Sequence, residues 1–191
     1  MRSESADEWR KACRYEIDAL AKNGTWVLVY LPLGRKAVKS KWVFQRKLDL
    51  SHHTWVIAKG FTQVFGIDYD ETFSPVAQFE SLRLLLALAA LEDWEIHQMD
   101  VKSAFLNGLL DEEIYMEQPE GFVNPDHPDK VCLLKKAIYR LKQASHAWNL
   151  QFHGVLLKLG FTRTRSDAGV YHREDDGISK RSICFFPLNL A

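Results

Sequence analysis

Cysteine is scarce in this chain, and a surplus of charge of either sign is missing. Cys13, Cys132 and Cys184 are its three thiols, and no two stand at a paired spacing, so neither a zinc site nor a disulfide framework is suggested. A reducing intracellular setting, cytoplasmic or nuclear, is the expectation. Lys and Arg number 25 and so do Asp and Glu, leaving no overall basic excess of the kind on which phosphate affinity rests. Any basic face must come from local asymmetry. Long hydrophobic runs are missing too. The longest, Leu84 to Leu91, is far too short to span a bilayer, and the N-terminus is charged from Arg2 to Arg14, so neither export nor membrane insertion is expected. Apolar residues are plentiful. At 191 residues, 47% hydrophobic and 12% aromatic, the chain can build one globular domain with a real core.

Along the chain, Ser5-Ala6-Asp7-Glu8 is a capping-box pattern. Trp9, Cys13, Ile17 and Leu20 then recur at helical spacing until Asn23-Gly24. Thr25 to Leu31 is β-branched and aromatic, Pro32-Leu33-Gly34 reads as a turn, and Val38 to Leu48 alternates Lys and Arg with apolar residues; the pair reads as a hairpin. His52 and His53 sit in Ser51-His52-His53-Thr54-Trp55, where adjacent histidines without further ligands are commonly just a polar turn. Gly60 to Pro75 is loop-rich. Glu80 to Trp94 reads as a helix with Leu82, Leu85, Leu86 and Ala89 as its core stripe. Strands are expected at Glu95 to Asp100, Ile114 to Glu117 and Val131 to Leu134. A helix is expected from Ile138 to Gly160.

The stretch from Gln98 to Gly108 organises the rest. It reads as a strand ending at Asp100, one compact turn, and then Phe105. A carboxylate at the end of a rigid strand is a common way to present a ligand to Mg²⁺, which takes few carboxylates and completes its shell with substrate phosphates. Most Asp residues at strand ends are nevertheless turn formers or caps, and Phe105 taken alone reads as a core residue.

Motifs in order along most of the chain weigh on the other side. Lys41-Trp42-Val43-Phe44, Ala58-Lys59-Gly60-Phe61, Gly66-Ile67-Asp68-Tyr69, Glu71-Thr72-Phe73-Ser74-Pro75-Val76, Asp100 to Gly108, Glu112 to Met116, Gln118 to Phe122 and Leu141-Lys142-Gln143 occur in that sequence. Together they resemble the reverse transcriptase domain of copia-type LTR retrotransposons, from about Trp9 to Tyr171. The resemblance implies an α+β fold, an incomplete fingers-and-palm polymerase unit whose antiparallel palm sheet is backed by helices. Fingers and the first palm helix would fill residues 1–94, the palm 95–172, and a divergent tail 173–191.

It also implies roles. Asp100 would be the first catalytic carboxylate, sharing Mg²⁺ with the carbonyl of Val101. Phe105 would exclude a ribose 2′-hydroxyl, since an aromatic face leaves neither room nor a polar partner for it. Gln143 and Lys59 would touch the incoming dNTP. Lys39, Lys41 and Arg46 would hold an RNA or DNA template-primer.

Four departures qualify the activity. The family pattern Lys-Ala-Arg before Ala58 is here His53-Thr54-Trp55, and an indole cannot clamp a triphosphate as a guanidinium does. The turn before it is shortened. Arg140 stands where the family has a glycine, a position suited to close backbone approach or positive φ. After Tyr171 the family's Tyr-Val-Asp-Asp, source of the second and third carboxylates, does not occur; Asp175-Asp176 sit in a polar turn and Pro187 argues against a central strand. Two-metal transfer needs ions roughly 3.5–4 Å apart, which Asp100 alone cannot hold. The expectation is a truncated or frame-shifted, inactive copy, with a nucleic-acid-binding remnant or a relic without a selected role as alternatives.

Overall fold

A computed structural model describes residues 5–46, 48, 50–174 and 181–185. In chain order its elements are α1 (Ala6–Lys22), β1 (Trp26–Val29), β2 (Ser40–Arg46), β3 (His52–Ala58), α2 (Phe79–Leu91), β4 (Leu109–Met116), β5 (Val131–Lys136), α3 (Ala144–Lys158), β6 (Thr162–Arg163), β7 (Val170–Glu174) and β8 (Arg181–Phe185). Single 3₁₀ turns lie at Gly60–Thr62 and Ala104–Asn107. Helices and antiparallel strands are mixed, an α+β arrangement. It divides into two compact units, Met1–Phe73 with Ser103–Trp148, and Ser74–Lys102 with Asn149–Ala191.

In the first unit, α1 ends as Asn23-Gly24 predicts. Gly24 is left-handed at φ 62°, the Gly24 N–H donates to the Ala21 carbonyl, and the Thr25 N–H donates to the Leu20 carbonyl, so the last carbonyls are satisfied. The capping box does not form: Ser5 has φ −102° and ψ 24°, outside the extended cap conformation, and its hydroxyl makes no cap bond. The buried stripe is real at Cys13 and Leu20.

The expected hairpin of the first two strands does not form: β1 takes a distant partner and β2 makes a hairpin with the next strand instead. β1 lies antiparallel to β5, with Trp26 opposite Leu134 and Val29 opposite Val131, in a sheet ordered β1-β5-β4. β2 instead pairs along its whole length with β3, Ser40 opposite Ala58 and Arg46 opposite His52. The reason lies just after β2: the histidines read as part of a polar turn open a strand, His52–Ala58, whose Val56, Ile57 and Ala58 are buried, which makes it the better partner for β2. Val38 bridges Met116 and Ile57 bridges Tyr139, tying hairpin and sheet together around Ile114, Met116, Leu134 and Ile138, none more than 2% exposed. Burial pushes the Cys132 thiol on β5 up to about 12, so it packs as a small hydrophobe.

In the second unit, α2 is apolar on nearly every side. Of its expected core stripe only Ala89 is buried; Leu82 and Leu85 are half-buried and Leu86 is exposed. A helix apolar all round carries no periodic signal to pick out its buried face. Asp93, left-handed at φ 53°, follows it. The predicted strand of Glu95 to Asp100 is not one: these residues are exposed and outside any strand. A strand exists only by exchange of backbone hydrogen bonds with a neighbour, and the apolar alternation of this stretch does not supply one. β6, β7 and β8 form an antiparallel sheet of their own, Thr162 opposite His172 and Val170 opposite Phe185. The tail therefore contributes an edge strand up to Phe185. Asp175, Asp176 and Pro187 lie outside the described residues.

α3 starts at Ala144 rather than Ile138 because Arg140, at φ 66°, interrupts helical backbone just before it. No helix among the described residues is long and apolar enough to cross a membrane.

Candidate functional site

The site residues expected from sequence fall in both units. Asp100 and Val101 belong to the second and are exposed. Phe105, Gln143, Lys59, Lys39, Lys41 and Arg46 belong to the first.

Phe105 sits on the 3₁₀ turn that follows Ser103, itself left-handed at φ 52°. Its ring is buried edge-on against Tyr139, with centroids 5.4 Å apart. Gln143 is 1% exposed and both ends of its amide are engaged. Its Oε1 accepts from Gln63 Nε2 at 3.1 Å, and its Nε2 donates to the Asp68 carbonyl at 2.8 Å. Gln63 Oε1 in turn accepts the Lys142 N–H at 2.8 Å. Asp68 is buried and closes its own loop, Oδ2 accepting the Val64 N–H at 2.8 Å. Two glutamines thus clamp the 60–69 loop to the turn before α3. Sequence reading missed Gln63 and Asp68, although Asp68 stands in one of the matching motifs.

The turn before α3 shows why a glycine suits position 140. Arg140 has φ 66°, where an L side chain costs roughly 1–2 kcal/mol. Its carbonyl faces Gly60 so closely that a Cβ there would lie 2.0 Å from the oxygen. We expect Arg140→Gly to stabilise the chain by about 0.5–1 kcal/mol in urea unfolding, the left-handed penalty less glycine's extra unfolded-state freedom. A loss of stability would show that the arginine side chain earns its place through contacts instead.

Beside this loop a shallow pocket of about 110 Å³ is lined by Gly34 to Val38 with Thr62, Val64, Ile67 and Asp68. That is below the roughly 300 Å³ at which ligand pockets begin. Its Arg35 guanidinium is already committed, donating to the Glu113 carbonyl and lying 5.3 Å from the Tyr115 ring centroid.

The cations of β2 divide. Successive side chains of a strand alternate sides, so Lys41 and Arg46, five positions apart, point to opposite faces. Lys39 shares the face of Lys41, and the Lys59 N–H donates to the Lys39 carbonyl at 2.8 Å, which carries the hairpin ladder one residue further. Arg46 lies with Phe44 and His52 on the face where Trp9 of α1 packs, its indole 5.3 Å from Phe44 and 4.3 Å from His52. Three of the expected basic contacts are therefore brought together and the fourth is not.

No group of three His, Cys, Asp or Glu side chains that could hold a metal ion occurs among the described residues. A two-ion centre does not fit the donors among the described residues.

The pattern of the family described as "Reverse transcriptase (RNA-dependent DNA polymerase)" matches residues 23–185, most of the chain. The chain belongs to the reverse transcriptase family. Among similar proteins, the retrovirus-related Pol polyprotein from transposon TNT 1-94 of Nicotiana tabacum is 46% identical over 168 residues, covering 85% of this chain and 13% of that protein. Those from transposons RE2 and RE1 of Arabidopsis thaliana are 43% and 40% identical, each over 86% of this chain and 12% of their own length. This copia-type reverse transcriptase segment thus spans about an eighth of the curated relatives it matches. No solved structure matches it.

Proposed function

We propose that this segment derives from an RNA-directed DNA polymerase of the fingers-and-palm type, with fingers and first palm helix in residues 1–94 and palm in 95–172, and that the 191-residue chain by itself does not polymerise. In that reading Asp100 and Val101 are the Mg²⁺-side residues, Phe105, Gln143 and Lys59 build the dNTP side, the buried Phe105 and Gln143 from beneath, and Lys39, Lys41 and Arg46 serve the template-primer. The observation that carries the negative half is the donor set: Asp100 has no carboxylate cluster around it among the described residues. Trp55 in the family's arginine position removes a bidentate triphosphate clamp as well. Loss of one preorganised electrostatic contact commonly costs roughly 10²–10³ in rate, and here several are missing together.

The test is primer extension on RNA and DNA templates with dNTPs and Mg²⁺, against an EDTA control. Incorporation at the EDTA level is expected. Mg²⁺-dependent extension that disappears in Asp100→Asn would overturn the proposal. A second reading, metal-independent binding of nucleic acid, is favoured by the shared face of Lys39, Lys41 and Lys59.

A further inference from the structure

The β2–β3 hairpin has two unlike faces. One is covered by α1 through Trp9, and by the Trp42 and Phe122 rings, 5.4 Å apart. The other carries Lys41, Val43 and Gln45 opposite Ile57, Trp55 and His53, and is prolonged by the Lys39–Lys59 pair. Lys39, Lys41 and Gln45 are exposed; His53, Trp55 and Lys59 are partly so. The Trp55 and His53 rings lie 6.2 Å apart with their planes tilted by 33°. Among the described residues of the two paired strands, no Asp or Glu stands on this face.

An ammonium row beside two roughly aligned π faces, with no carboxylate to repel an anion, matches one class of partner by charge and by shape. Single-stranded nucleic acid offers unpaired bases to stack and phosphates at every residue, whereas a duplex hides its base faces. We propose that this face binds single-stranded nucleic acid without a metal ion, one base stacking on Trp55 and the flanking phosphates lying on Lys39, Lys41 and Lys59. The proposal deepens the second reading above and rests on it, because it requires that the chain meet nucleic acid at all. It changes what the hairpin holds: an indole cannot fork two hydrogen bonds onto a triphosphate, but it presents a face to any base.

The test titrates the full chain, in EDTA, into a fluorescently labelled oligothymidylate about 12 nucleotides long and into an abasic oligomer of the same length. Salt-dependent binding of the oligothymidylate is expected, with the abasic strand at least about tenfold weaker in Kd. Trp55→Ala should bring the two ligands to equal affinity, while Trp55→Phe keeps most of the difference; far-UV circular dichroism of both variants checks that the hairpin persists. Should Trp55→Ala misfold, the oligothymidylate-to-abasic ratio of the unmodified chain and of Trp55→Phe still decides. Equal binding of both oligomers by the unmodified chain, or a ratio unchanged in folded Trp55→Ala, overturns stacking on Trp55 and leaves a phosphate-only surface. Absence of any binding overturns this proposal together with the nucleic-acid reading beneath it.

Discussion

Gly60→Ala is expected to cost the first unit about 3 kcal/mol or more, because the new methyl has nowhere to go. Its Cβ would lie 2.0 Å from the Arg140 carbonyl oxygen and 3.1 Å from both the Arg140 carbonyl carbon and Gln63 Oε1. A flexible side-chain tip could swing aside; a carbonyl in a restrained turn cannot. The turn is held from both sides, by the Ala58 N–H on the Tyr139 carbonyl at 3.0 Å and by the Lys142 N–H on Gln63 at 2.8 Å. The variant relieves the overlap only by breaking one of these, and each break leaves a backbone amide in this turn unpaired. In a thermal melt the loss corresponds to a midpoint lower by roughly 6–12 °C for a chain of this size. A midpoint unchanged within about 1 °C would mean that the 60–69 loop is not seated on the turn before α3.

The second large effect is expected in the other unit, at Asp167. Its Oδ2 accepts the N–H of Gln78, the residue that opens α2, at 2.8 Å, and its Oδ1 accepts the Gly169 N–H at 2.9 Å. A carboxylate from 89 positions away thus caps a helix whose own first residues supply no side-chain cap, at the end where the helix dipole favours negative charge. Burial pushes the Asp167 carboxyl up, but hydrogen bonds from Ser81, Gln78 and Gly169 outweigh it and hold the group below the usual aspartate range.

The sign of the pH effect follows. A group with a folded pKa below its unfolded value contributes its full stability above the ordinary aspartate range, and that contribution is lost as pH falls through the folded pKa. Asp167→Ala is therefore expected to cost about 3 kcal/mol or more near neutrality, the loss of its charge-assisted bonds. Its deficit against the unmodified chain shrinks as pH drops below about 4. Urea unfolding of both proteins across that range reads it directly. A deficit constant with pH would mean that the carboxylate charge plays no part in the cap.

Local chemistry was largely legible beforehand. The heptad-like spacing from Trp9 to Leu20 and the glycine that follows determine α1 and its end, because periodicity and a left-handed cap act over a few residues. The ordered motifs establish the reverse transcriptase family, and they also expose where this chain departs from it, at Trp55 and Arg140. The positive φ of Arg140 is what a glycine-preferring position implies.

Pairing was not legible, because any strand of suitable composition can pair with several others and only the competition among all of them selects. So β2 chooses β3 and β1 chooses β5, and the stretch ending at Asp100 stays outside every strand. Gln143 shows the same division from the side of a single residue. Its place in a motif is written in the sequence, but its burial between Gln63 and Asp68 depends on a loop 75 to 80 positions away. The sequence by itself determined the family, the helices and the residues available for chemistry. Tertiary structure alone decided which of them share a face, since that depends on hydrogen-bond partners and buried surface contributed by distant parts of the chain.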